Sequence, residues 1–153
     1  MINVSVFSEE KGWSKKLKNS DLFFKKICKA FPKKYKFSNK KISLSLLLSN
    51  NKNIKKLNKN FRNKNETTDI LSFPSNKKIK ILKNMYLGDI IISYNYLDKP
   101  KSQDLGIFKE KVIKIFIHGY LHLLGFNHIK NKDYLKMLRE ENLLYKYVKS
   151  RIN

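Results

Sequence analysis

Four segments of the chain have the apolar pattern of β-strands. In two of them apolar residues alternate with polar ones, as expected of a strand with one buried face. The other two are short apolar runs bounded by turn-forming residues, and Pro74 ends the first of these. We therefore predict strands at Ile2, Val4 and Val6 and over residues 41–49, 69–73 and 87–93, with a basic loop over residues 77–84.

Four longer segments place apolar residues three and four positions apart, which is the spacing of an amphipathic helix. Pro32 stops the first, Ser49 or Asn50 caps the second, and Gly125 ends the third. The second is short and very basic, with Ile54, Leu57 and Phe61 on its apolar face. The predicted ranges are residues 13–31, within 49–65, 103–124 and 131–148, and the last helix is expected to bury Tyr134, Leu135, Leu138, Leu144 and Tyr145.

Strands interleaved with helices, including at least one hairpin-like pair, predict an α+β or layered fold with a mixed sheet. No internal repeat or Gly/Pro/Ser-rich linker interrupts the chain, so we expect one domain over residues 1–153. We find no signal peptide, and the best apolar run, residues 112–126, is too short to span a bilayer. We expect a cytoplasmic protein without membrane contact, in which Cys28 packs as a small apolar residue.

The chain is strongly basic, with a formal net charge of +22. Nucleic acids are the commonest large partners of such a surface. However, only Arg62, Arg139 and Arg151 of the 34 basic residues are arginines. A/T-rich coding also favours lysine, so the total charge supports an RNA or DNA partner without proving one.

All three histidines of the chain lie in one segment, His118-Gly-Tyr-Leu-His122-Leu-Leu-Gly-Phe-Asn-His128. His118 and His122 are four residues apart and share one face of the predicted helix. Gly125 can adopt the left-handed conformation that ends the helix and returns His128 towards them. Three neutral imidazoles suit Zn²⁺ and leave a fourth coordination position open, as in catalytic zinc sites. We predict one zinc ion per chain, bound by His118, His122 and His128.

The same histidine spacing occurs in metzincin proteases, where a glutamate general base follows the first histidine. Gly119 occupies that position here and has no side chain to accept a proton. The sequence therefore disfavours peptide hydrolysis of that type, and metal-dependent hydrolysis of another substrate stays an alternative.

With glycine at that position, HGYLHLLGFNH resembles the signature of the YbeY endoribonuclease family, the bacterial rRNA maturation factors. LNKNFRNKNETTDILSFP, residues 57–74, is similar to that family's Asn-x-x-Phe-Arg-x-Lys … Thr-Asp-Val-Leu-Ser-Phe-Pro stretch. LGDIIIS, residues 87–93, resembles its Leu-Gly-Asp-Ile strand. The three motifs stand in the family's order, and the resemblance covers most of the chain.

The resemblance implies an α+β fold with a mixed sheet of about four strands flanked by helices. It places the zinc-binding histidines on the central helix and the following turn, and Arg62 in the same cleft, needed for activity. The implied activity is cleavage of single-stranded RNA in small-subunit (16S) rRNA maturation and ribosome quality control, with the ribosome or its precursor as partner. The candidate catalytic residues are therefore Arg62, His118, His122 and His128.

The sequence also suggests candidates for supporting roles around these four catalytic residues. The family usually has Asp directly before the third histidine, whereas this chain has Asn127, which accepts a hydrogen bond but brings no charge. Asp69 and Asp89 stand at predicted strand starts, and we interpret them as capping or turn residues, with a supporting place in the site as the alternative. Candidate phosphate contacts are Lys55, Lys56, Lys59 and Lys64.

A second function class also fits the residues. The chain could be a non-catalytic, ribosome-associated RNA-binding protein in which zinc is structural and the basic surface binds the RNA. The open coordination position of a three-histidine site and the presence of Arg62 favour the enzyme.

Overall fold

The structure is a computed structural model that describes residues 1–76 and 80–152. Within these residues, four strands form one sheet: β1 (Ile2–Ser8), β2 (Lys41–Ser49), β3 (Ile70–Pro74) and β4 (Asn84–Ser93). They lie in the order β1-β2-β4-β3. β2 is parallel to both β1 and β4, whereas β3 is antiparallel to β4 and forms one edge of the sheet. The predicted mixed sheet and its hairpin-like pair are confirmed.

Helices flank this sheet on both faces. Among the described residues, no helix is long and apolar enough to cross a membrane. The helices are α1 (Lys11–Lys16), α2 (Ser20–Ala30), α3 (Lys33–Lys36), α4 (Asn51–Arg62), α5 (Tyr94–Leu97), α6 (Leu105–Leu123) and α7 (Asn131–Ile152).

The two faces of the sheet carry cores of different size. On one face Leu44, Leu46 and Leu48 of β2 are fully buried in the main core, to which α2, α6 and α7 contribute. The other face carries a smaller cluster in which Ile54 of α4 packs with Leu71 and Ile91. α6 and α4 therefore lie on opposite faces of the sheet, and both contact the edge strand β3.

The prediction of one helix over residues 13–31 is wrong, because the chain forms α1 and α2 there. The side chain of Asn19 accepts a hydrogen bond from the backbone N–H of Leu22 at 2.9 Å and caps α2. Trp13 and Leu17 before this break and Phe24 after it are all buried in the main core. The apolar spacing therefore runs across the break and hides it.

The face that α7 buries also differs from the prediction. Leu144 is buried as expected and Tyr145 is only half-buried, but Tyr134, Leu135 and Leu138 are exposed. The buried side of the helix is formed by Met137, Leu144 and Val148. Leucines occur on more than one side of this helix, so the pattern does not identify which side meets the core.

The remaining predictions differ from the structure at their boundaries. β4 begins at Asn84 rather than at residue 87. Residues 77–79 of the predicted basic loop lie outside the described residues.

Phe61 is exposed, although its ring lies 5.4 Å from that of Phe73. Cys28 is buried, and burial raises the pKa of its thiol, as expected of an apolar packing residue.

Candidate metal centre

The end of α6 brings the three histidines to one place. His118 and His122 lie one turn apart on the helix, which ends with Leu124 as its C-cap. Gly125 has a φ of +94°, a left-handed conformation that side chains disfavour. The N–H of Gly125 donates to the carbonyl of His122 at 3.0 Å, and that of Phe126 donates to Leu121 at 3.1 Å. These bonds close the helix and turn the chain back, as the sequence predicts.

The ligand nitrogens of His118, His122 and His128 all lie within 4.8 Å of one another. The Nε2 atoms of His118 and His122 are 3.0 Å apart. Nitrogens bound tetrahedrally at about 2.0–2.1 Å from zinc are about 3.3 Å from each other, so this spacing fits a shared ion. The three residues can therefore hold one metal ion, as predicted.

Hydrogen bonds fix the rings of the first two histidines. Nδ1 of His122 donates to the carbonyl of Phe126 at 2.9 Å. Nδ1 of His118 donates to a carboxylate oxygen of Glu141 at 2.5 Å. In both rings the remaining nitrogen, Nε2, faces the common point, which is the arrangement that metal-binding histidines usually have.

Sequence reasoning missed Glu141. It lies on α7, and its contact with His118 joins residues 23 positions apart. No spacing motif links the two residues. The available signal was an acidic residue one turn from the buried Leu144 in a chain with only 12 acids.

The environment of His122 favours its neutral form. Its pKa is lowered to about 4, chiefly by burial. The nearby charges of His118, His128 and Arg62 act in the same direction, while the hydrogen bond to Phe126 opposes the shift. A neutral imidazole is the form that binds a metal ion, so His122 is ready to act as a ligand at neutral pH.

Gly119 lets α6 lie directly against the sheet. A Cβ atom at this position would stand 2.7 Å from Cδ1 of Ile70, 3.1 Å from Oγ of Ser72 and 3.2 Å from Cγ2 of Ile90. A side chain here would force Ile70 and Ser72 to shift, so the packing fits glycine at the position where the metzincin proteases have their general base. The close contact also brings the histidines next to the edge strand β3.

Arg62 approaches the site from the other face of the sheet. It is the last residue of α4, and its guanidinium donates to the backbone carbonyl of Ser72 at 3.2 Å. The same group lies 5.8 Å from the ring centroid of Phe73. Arg62 is exposed, and its charge contributes to the lowered pKa of His122. The structure therefore brings Arg62 and the histidines together around β3.

Among the described residues, neither Asp89 nor Asp69 is hydrogen-bonded to Arg62 or to the histidines, although Asp89 pairs with Phe73 across the sheet. Asp89 lies inside β4 rather than at its start and accepts a hydrogen bond from the hydroxyl of Tyr86. Alternation along β4 turns Asp89 to the α4 face, opposite to the Ile90 side chain that packs beside Gly119. Asp69 directly precedes β3, and its carboxylate accepts from the hydroxyl of Thr68 at 3.2 Å.

Asn127 and the candidate lysines have separate surroundings. The side-chain oxygen of Asn127 accepts from the backbone N–H of Ile129 at 3.3 Å, which is a local turn contact. The candidate phosphate contacts are Lys55, Lys56, Lys59 and Lys64. All four are exposed, and the first three lie on α4, whose last residue is Arg62.

Comparison with known proteins identifies the family of the chain. Residues 7–149 match the family described as Endoribonuclease YbeY. An endoribonuclease YbeY of Pelagibacter ubique (strain HTCC1062) is 60% identical over 152 residues, which cover 99% of each chain. One of Sulfurihydrogenibium sp. (strain YO3AOP1) is 34% identical over 127 residues, covering 78% of this chain and 82% of the relative.

A solved structure has the same fold. The solution structure of a protein from Thermotoga maritima aligns with a TM-score of 0.58 and 24% identity, covering 95% of this chain and 88% of the other. The family match spans the edge strand β3, Arg62 and all three histidines. The chain therefore belongs to the YbeY family of endoribonucleases.

Proposed function

We propose that this protein is a zinc-dependent endoribonuclease that cleaves single-stranded RNA. Its membership of the YbeY family supports RNA as the substrate. The observation that carries the proposal is a group of three imidazoles that can hold one ion, with the exposed guanidinium of Arg62 close enough to lower the pKa of His122. A metal site and a fixed cation together suit the cleavage of a phosphodiester.

The donor set fits zinc. Three imidazole nitrogens within 4.8 Å of one another, two of them oriented by hydrogen bonds, match a site with three protein ligands. Zinc bound there would supply Lewis-acid activation for hydrolysis at phosphorus.

Arg62 has the properties required to bind the reacting phosphate. Its planar donor set suits the negative charge that builds on the phosphate oxygens during cleavage. The hydrogen bond to the carbonyl of Ser72 occupies one part of the guanidinium and holds it beside β3. The rest of the group is exposed to a substrate. Its role is therefore to orient the phosphate and stabilise its charge.

The exposed lysines of α4 extend this site along the RNA. Lys55 and Lys59 lie one helical turn apart, and Arg62 follows in the next turn. We assign these lysines to phosphate contacts along the RNA beside the cleavage point. The biological substrate we propose is small-subunit (16S) rRNA, on the ribosome or its precursor in the cytoplasm, with a role in ribosome quality control. Residues 1–153 would act as one domain.

The test is cleavage by purified protein whose zinc content has been measured. Single-stranded RNA and a duplex of the same sequence are compared for the wild type, His122→Ala, Arg62→Ala and the control Arg151→Ala. Arg151 is also exposed, but it lies at the end of α7, where it donates to Tyr147. We expect cleavage of the single strand, loss in His122→Ala and a fall of about 10²–10³-fold in Arg62→Ala with zinc retained.

Other outcomes separate the alternatives. RNA binding without cleavage by the zinc-loaded wild type would indicate a non-catalytic RNA-binding protein with structural zinc. Cleavage that persists in His122→Ala would show that the activity does not come from this site.

A further inference from the structure

The carboxylate of Glu141 is placed where it can control a metal ligand. Its Oε1 lies 2.5 Å from Nδ1 of His118, and the side chains are 25% and 28% exposed, respectively. Because Nδ1 donates to Glu141, the nitrogen of His118 available to an ion is Nε2. This is the atom that lies 3.0 Å from Nε2 of His122.

The partly exposed His118 ring is not enclosed on all sides by packing, so a hydrogen bond can decide its orientation. The last torsion angle of a histidine is broad and roughly two-fold, so a half-exposed ring needs a partner to select one orientation. For His122 the partner is the carbonyl of Phe126, which belongs to the turn itself. For His118 the partner comes from another helix, so the geometry of the site depends on how α7 packs against α6.

Two neighbouring polar residues, Asn127 beside His128 and Glu140 beside Glu141, have hydrogen-bond partners other than the histidines. Asn127 accepts from the N–H of Ile129. Glu140, the neighbour of Glu141 on α7, accepts from Lys34 at 3.1 Å and also from the hydroxyl of Tyr35. Within residues 1–76 and 80–152, Glu141 is the acid that is hydrogen-bonded to one of the three histidines. A carboxylate partner also makes an imidazole a stronger electron donor than a neutral partner does.

We propose that Glu141 is a positioning residue that holds His118 with Nε2 turned towards the metal ion and strengthens metal binding. This inference rests on metal binding by the three histidines, as set out in the proposed function. It adds a fourth residue, from a different helix, on which the affinity and geometry of the site depend.

The test is metal binding by the full chain, independent of RNA cleavage. Zinc affinity is measured by competition with a chromophoric chelator, and the visible spectrum of the Co²⁺-substituted protein reports ligand geometry. The variants are Glu141→Ala, Glu141→Gln and the control Glu140→Ala. The control removes an adjacent carboxylate that also has hydrogen bonds but does not contact a histidine.

We expect Glu141→Ala to bind zinc about 10–100-fold more weakly, with an altered cobalt spectrum. Glu141→Gln retains an oxygen that accepts from Nδ1, so its spectrum should resemble that of the wild type and its affinity should be intermediate. Glu140→Ala should bind zinc like the wild type. Wild-type affinity and spectrum in Glu141→Ala, or an equal loss in Glu140→Ala, would overturn the proposal.

Two further comparisons complete the test. If Glu141→Ala does not fold by circular dichroism, Glu141→Gln decides: weaker zinc binding than in the wild type supports the proposal, and equal binding overturns it. A wild-type chain that binds no metal would instead contradict the proposed function.

Discussion

The imidazole of His122 is neutral in the fold chiefly because it is buried at the end of α6, and the nearby Arg62 guanidinium also lowers its pKa. Its ordinary pKa is 6.5, and in the folded chain it is lowered to about 4. Between these values the unfolded chain binds more protons at this residue than the folded chain does. The contribution of His122 to stability is therefore complete above about pH 6.5 and is lost as the pH falls towards 4.

This linkage predicts how the metal-free protein responds to acid. With chelator present, the urea concentration at the unfolding midpoint of the wild type should decrease as the pH is lowered from about 7 to about 5. His122→Gln removes the titrating ring and should show a smaller fall over the same range. Equal pH dependence in the two proteins would mean that the folded chain does not hold this ring neutral.

At the scale of single residues, some members of the site could be predicted from the sequence and one could not. The three ligands and Arg62 lie in short motifs, so they could be named before the fold was known. Glu141 could not, because its contact depends on which side of α7 faces α6. The leucines of α7 suggested a different face, and the exposed Leu135 and Leu138 show that the helix is turned away from that prediction.

At the scale of elements, α6 depends on how closely it packs against β3 and β4. Gly119→Glu would introduce the metzincin base, but its first side-chain atom already collides with Ile70. We expect a loss of about 2–4 kcal/mol in the free energy of unfolding, from overpacking and from burying a charge. No peptidase activity should appear.

The matched control is Gly106→Glu, on the same helix. A Cβ at Gly106 meets nothing within 4 Å, and an acid suits the first turn of a helix. This variant should unfold at the same urea concentration as the wild type or a slightly higher one. Equal loss in both variants would show that close packing at Gly119 is not the cause.

The type of each secondary-structure element could be predicted from the sequence more accurately than the breaks between elements. β2 and α6 have long, consistent patterns, and both are present within two residues of the predicted bounds. The break between α1 and α2 depends on one capping contact of Asn19, which the apolar spacing does not reveal. The contact of α4 and α6 with the same edge strand is a property of the sheet order and could not be derived from the pattern alone.

At the scale of the whole molecule, the positive charge of +22 is spread along most of the chain. Only part of it can serve the site. The exposed lysines of α4 lead to Arg62 at the edge strand, whereas those of α2 lie on the other face of the sheet. Binding to RNA should therefore depend on the position of a lysine and not on the total charge.

The salt dependence of RNA binding tests this difference. With chelator present to prevent cleavage, Lys55→Ala with Lys59→Ala should reduce the slope of log affinity against log salt by about 1.4, or about 0.7 per phosphate contact on single-stranded RNA. Lys25→Ala with Lys29→Ala removes the same charge at the same spacing on α2 and should leave the slope unchanged. Equal effects of the two pairs would indicate non-specific attraction only.

The proposed activity depends on His118, His122 and His128 sharing one metal ion. X-ray absorption at the zinc edge, together with the zinc content of the purified protein, measures this directly. We predict one zinc per chain, with three imidazole nitrogens at about 2.0–2.1 Å, and no bound zinc in His122→Ala. A folded wild-type chain that takes up no zinc, or one whose zinc remains unchanged in His122→Ala, would contradict it.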